Sequence, residues 1–120
     1  MFRPIPARIL RSTATVMECT GTDLYQKPVY ALHEVTRVHL QDTNEVHRTA
    51  ENTEVVLRSI LFVDARISKP ALDYEALFAQ SLSNGGVMKI VVRGIPYTVV
   101  SVDRVSNDVD RLHHWEIGLV

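Results

Sequence analysis

The sequence predicts a mainly β fold: a small six-stranded antiparallel β-barrel with one inserted α-helix at about residues 70–83. Three observations point there. Six segments are rich in β-branched residues, or alternate apolar with polar side chains at a period of two. One segment carries apolar residues at helical spacing. No stretch resembles an interdomain linker, so 120 residues and 13.6 kDa form a single domain, 1–120. Six strands with one apolar face each are most easily satisfied by curling until the sheet has no edges.

Thr13–Thr20 (TATVMECT) reads as the first strand, ended by the turn-forming Gly21, Thr22 and Asp23. In Val29–Leu40 the two-residue period sets Tyr30, Leu32, Val38 and Leu40 on one side and His33, Arg37 and His39 on the other. Glu34 and Thr36 break that apolar face, which predicts a bend, a bulge or two shorter strands. From Gln41 to Thr53 the only large apolar side chain is Val46, so these thirteen residues read as a long functional loop. Glu54–Asp64 (EVVLRSILFVD) is expected to be one strand.

Pro70 suits the first turn of a helix, where its missing N–H has no partner to lose. Tyr74, Leu77, Phe78 and Leu82 supply the helical stripe, and Asn84-Gly85-Gly86 supplies the stop. Val87–Arg93 and Ile95–Val105 form a hairpin about Gly94, with Arg93 expected to face solvent. The closing HHWEIGLV alternates His113, Trp115, Ile117 and Leu119 with His114, Glu116, Gly118 and Val120.

Composition excludes several functional classes. Thirteen Lys+Arg against fourteen Asp+Glu give a formal charge of -1, far from the basic balance of a domain held on nucleic acid by phosphate contacts. The one cysteine, Cys19, rules out a disulfide scaffold or a cysteine metal cluster and suits a reducing compartment. MFRPIPARIL lacks the apolar core of a secretory leader, and no apolar run reaches the roughly twenty residues of a bilayer span, so no membrane role is expected.

Nor does a catalytic, cofactor-binding or metal-binding motif emerge. His33 and His39 lie roughly 20 Å apart along a strand, too far to share an ion. His113 and His114 should point to opposite faces. Cys19 has no neighbour in sequence that would activate it. Asp103, Asp108 and Asp110 lack the glycine and distal glutamate of a calcium loop. Asn84-Gly85-Gly86 follows a helix and lacks the lysine of a phosphate loop. The chain is therefore read as a protein without enzymatic activity.

The long loop is the one candidate site. Asp42, Glu45, Glu51 and Glu54 outweigh Arg48, leaving a local charge of about -3 with His47 neutral. On a monomer this is a solvated loop. With several copies in a ring and these loops inward, the charges would sum and repel a passing duplex.

Segments throughout the chain carry a family resemblance. They are Ile5-Pro6-Ala7-Arg8-Ile9-Leu10, Lys27-Pro28-Val29-Tyr30, Leu61-Phe62-Val63-Asp64-Ala65 with Ser68-Lys69-Pro70, Tyr97-Thr98-Val99-Val100-Ser101-Val102, and the closing Leu112–Val120. Together they resemble the minor capsid proteins encoded among the head genes of tailed bacteriophages and prophages. The resemblance spans nearly the whole chain and is weakest over residues 71–86.

It implies a head-to-tail connector component similar to head-closure or stopper proteins. Such a protein is made in the bacterial host cytoplasm and resides in the virion at the head–tail junction. Its implied partners are neighbouring copies in a ring, the portal or adaptor, tail proteins, and packaged double-stranded DNA that passes without sequence-specific binding. Stopper, adaptor and tail-completion roles share this size and architecture. No cofactor is implied, and the family has no catalytic motif to transfer.

A domain of this length has a radius of gyration of roughly 14 Å, too small to enclose a duplex about 20 Å wide, so any DNA channel must lie between subunits. The alternative is a nucleic-acid-binding barrel of the OB or SH3-like kind. It would need a basic groove with exposed aromatics, whereas this chain has eight aromatics and three lysines.

Overall fold

β-Branched segments dominate the computed structural model, which describes residues 11–48, 52–106 and 112–120. Among these residues, eight strands and one helix run in the order β1 (Ser12–Thr22), β2 (Pro28–Asp42), β3 (Val46–Arg48), β4 (Glu54–Val56), β5 (Ser59–Asp64), α1 (Tyr74–Ser83), β6 (Lys89–Val92), β7 (Ile95–Ser106) and β8 (Leu112–Leu119). Six of the strands form one antiparallel sheet in the order β1-β2-β5-β8-β7-β6. β6 pairs back onto β1 from Ala14↔Val92 to Met17↔Lys89, so the sheet closes on itself. Its interior is filled by Val16, Val35, Val38, Leu61, Met88, Ile90, Ile117 and Leu119, none of which exposes any surface. The radius of gyration is 14.5 Å.

The expected strand over Glu54–Asp64 is two. β4 leaves the main sheet to pair with β3 (Val46↔Val56, His47↔Val55, Arg48↔Glu54), and Leu57 and Arg58 turn the chain into β5. The expected loop 41–53 thus contains the end of β2 and a strand of this hairpin. Three-residue strands give too few alternations to stand out against a polar background.

The break foreseen in the second strand is a bulge. Ser12↔Val38 is followed by Ala14↔Val35, so two steps of β1 face three of β2, and Arg37 takes φ 59. The extra residue reverses parity. Val35 is buried before it and Val38 after it, whereas Leu32, expected to face inward, is 64% exposed. The next connection clamps the bulge: Ser68 Oγ donates to the Arg37 carbonyl, and Thr36 and Lys69 exchange backbone hydrogen bonds of 2.8 and 3.3 Å. Buried Asp64 shapes that connection, its Oδ1 accepting from the backbone N–H groups of Arg66 (2.7 Å) and Ile67 (2.9 Å).

The helix starts at Tyr74, later than the predicted 70, because Asp73 is its N-cap and accepts from the Ala76 N–H. Pro70 lies in the preceding connection, beside the bridge of Lys69 to Thr36. Asn84 caps the C-terminus and Gly85 follows at φ 81, as the Asn-Gly-Gly stop predicts. Tyr74 enters the core edge-on to Trp115, with ring centroids 5.6 Å apart. The far end of the helix lies over β1, where the Cys19 N–H donates to Ser81 Oγ and Asn84 Nδ2 donates to the Cys19 carbonyl, both at 3.0 Å. Arg93 and Gly94, at φ 53 and 77, form the two-residue turn between β6 and β7, with Arg93 exposed as expected.

Candidate functional site

The acidic cluster sits on the β3–β4 hairpin and its anchors. Asp42, at the end of β2, accepts from Ser59 Oγ at 3.0 Å. The Glu45 carbonyl accepts from the Leu57 N–H at 2.9 Å, and the Arg58 N–H donates to Leu119 across the main sheet at 2.8 Å. Leu57 is thereby laid over Gly118. A Cβ at Gly118 would lie 3.1 Å from both Leu57 methyl carbons and 2.3 Å from Ser101 Oγ, so only glycine leaves room for the anchor.

Alternation along the hairpin separates its residues. His47 and Val55 are half-buried against the sheet, while Val46, Val56, Arg48 and Glu54 are exposed. Arg48 donates to Glu54 at 2.7 Å and to Asn52 at 2.9 Å, so the cluster's one arginine is internally paired. Glu51 lies outside the described residues. Between the hairpin and strands β7 and β8 runs a cleft whose lining includes Glu45, His47, Asp103 and Glu116 and contains no lysine or arginine. Asp103 and Glu116 stand directly opposite each other, and neither featured in the sequence-based cluster. They lie far from Glu45 in sequence, and the packing of the hairpin over β7 and β8 brings them beside it.

Two other groups of ionisable residues bear on the chemistry. Glu18 is buried and lies 2.7 Å from His33 Nε2. His113 and His114, expected on opposite faces, approach with their Nδ1 atoms 2.7 Å apart, and His114 Nε2 is 3.1 Å from Glu116. The cause is a bulge in β8. Val105↔His114 and Ser106↔Leu112 leave His113 as the extra residue, which cancels the alternation there. One Nδ1 carries the hydrogen and the other accepts it. Among the described residues no group of three or more His, Cys, Asp and Glu side chains is placed to hold a metal ion. Asp108 and Asp110 lie outside those residues.

Aromatic placement bears on nucleic-acid recognition. Tyr74, Tyr97 and Trp115 are buried, Tyr30 lies under the Lys89 ammonium, and Tyr25 alone among the described aromatics is fully exposed. A stacking platform needs several exposed rings in a basic groove.

The candidate site is thus the outer face of a closed β domain, a hairpin beside a carboxylate-lined cleft. The chain belongs to the minor capsid protein family, whose model matches residues 6–119. It is thus a virion-associated protein of phage origin with a structural role. No curated protein and no solved structure matches the chain.

Proposed function

We infer that the protein is a head–tail connector component. It is a small barrel that assembles as a ring below the portal or adaptor, closes the DNA-filled head and offers the tail a docking surface. Membership of the minor capsid family supports this reading, and the packed interior carries its mechanical part. With Leu61, Met88, Ile90 and Ile117 filling the middle of the subunit, a duplex about 20 Å wide has no path through one copy. Passage and closure then require several copies around a common axis, each presenting two different complementary patches.

In this role the protein performs no chemistry. Asp42, Glu45, His47, Arg48, Glu51 and Glu54 serve in assembly or line the channel, where carboxylates repel phosphate and let DNA slide. The free protein is monomeric or weakly associated until it meets the rest of the connector, which prevents premature rings. Deleting its gene from the phage genome tests the role. The expected result is DNA-filled or leaking heads accompanied by free tails. Normal infectious particles without the protein would overturn it, and stable closed rings of purified protein in light scattering would overturn the monomer expectation alone.

A further inference from the structure

Two exposed apolar patches lie at opposite ends of β2. At its start, β1 and β2 project as a two-stranded arm, because β1 pairs with β6 only as far as Met17 and β2 pairs with β5 only from Val38. The tip of the arm is tightly built. Asp23 Oδ1 accepts from the N–H groups of Tyr25 (2.8 Å) and Lys27 (2.9 Å), and the Asp23 N–H donates to the Lys27 carbonyl at 2.9 Å. That turn presents Leu24 at 98% and Tyr25 at 83% exposure. Turn geometry favours small polar residues and gives no reason for a leucine and a tyrosine there.

At the other end of β2, the β3–β4 hairpin presents Val46 and Val56 as a cross-strand pair, 60% and 59% exposed. Neither patch covers the other within one chain.

Each patch has a charged neighbour that the other can match, a lysine amine at the tip and carboxylates at the hairpin. Lys27 flanks Leu24 and Tyr25, and Lys89 lies 5.7 Å from the Tyr30 ring farther down the same arm, while the Asp23 carboxylate is engaged by its own turn. Beside Val46 lies the cleft lined by Glu45, Asp103 and Glu116. Two unlike patches of matching chemistry at opposite ends of one chain are what a head-to-tail contact requires.

We propose that the occupant of each patch is a second copy of this chain. Leu24 and Tyr25 of one copy pack on Val46 and Val56 of the next, with Lys27 against the carboxylates of Glu45 and Asp103. This rests on the ring reading above and assigns the surfaces that make the ring.

Zero-length carbodiimide coupling tests the contact, because it joins an amine only to a carboxylate already touching it. A mixture of isotope-labelled and unlabelled protein is coupled at millimolar concentration, and assembled particles are coupled in parallel. The expected product is a mixed-isotope peptide joining Lys27 to Glu45 or Asp103. Its yield should fall at least tenfold in Leu24→Asp/Tyr25→Asp and in Val46→Asp/Val56→Asp, both of which change only exposed side chains. Mixing those two variants should restore a coupled pair, since each keeps one intact patch, but nothing larger.

Links confined to other residues, tip-to-tip links, or no Lys27 link in either sample would overturn the proposal. The ring role survives that failure if the particles still contain the protein, and it falls if they never do.

Discussion

Gly118 has neighbours on both sides: Ser101 Oγ 2.3 Å and Leu57 methyl carbons 3.1 Å from where a Cβ would stand. Gly118→Ala should therefore cost about 1–3 kcal/mol, the usual penalty of overpacking, read as a shifted midpoint in urea unfolding. Tyr74 behaves differently. Its hydroxyl is buried with no hydrogen-bond partner among the described residues, and burial pushes the phenol well above its ordinary value of 10.0. Tyr74→Phe removes the stranded group and should be neutral or stabilising by up to about 1 kcal/mol. The same burial sets a pH dependence. The unfolded chain releases this proton near pH 10.0 while the folded chain keeps it, so stability is full below that pH and falls above it, by about 1.4 kcal/mol per pH unit. Unfolding curves across pH 9 to 11 should show this extra loss in the native protein and not in Tyr74→Phe. A parallel decline in the two would mean that the phenol titrates normally.

At the level of elements, legibility followed the length of the pattern. β1, β7, the body of β8 and the stop of α1 were readable because each has many alternations or a helix-ending glycine pair. The helix starts four residues past Pro70 because the side-chain cap of Asp73 on Ala76 sets it, and the apolar stripe does not mark that cap. The bulges at Arg37 and His113 were the deeper obstacle. Each inserts one residue, so the parity that assigns faces does not carry across it: Leu32, before Arg37, faces out although Val38 beyond it is buried, and His113 lies against His114. Within the candidate site, the glutamates of the hairpin were visible as a charge run. Asp103 and Glu116 were not, because the packing of the hairpin over β7 and β8 leaves no local trace in the sequence. Leu57 decides whether the hairpin stays in place. Leu57→Ala should cost about 2–4 kcal/mol for a buried leucine. It should also speed amide exchange at Leu57 and Arg58, whose N–H groups tie the hairpin to Glu45 and Leu119, more than at the centre of β5. Equal acceleration everywhere would make Leu57 an ordinary core residue with no special hold on the hairpin.

For the whole molecule the proposed connector role makes a demand: a chain placed beside DNA must not grip it. Each phosphate neutralised by a lysine or arginine releases a counterion, and that release supplies most sequence-independent affinity. Here the formal charge is -1, the cleft beside the hairpin carries carboxylates without a lysine or arginine, and Tyr25 alone among the described aromatics is exposed, too few for a stacking platform. Both the electrostatic and the stacking terms are therefore small or unfavourable. A single copy should not retard duplex or single-stranded DNA in a gel at physiological salt, even at about 10⁻⁴ M protein, the weak end of ordinary non-specific binding. Glu45→Lys/Asp103→Lys, which reverses the cleft, should produce a retarded species that disappears as salt is raised. Retardation by the native chain with the same salt sensitivity would favour a nucleic-acid-binding barrel instead, because the proposed connector role requires a surface that does not hold phosphate.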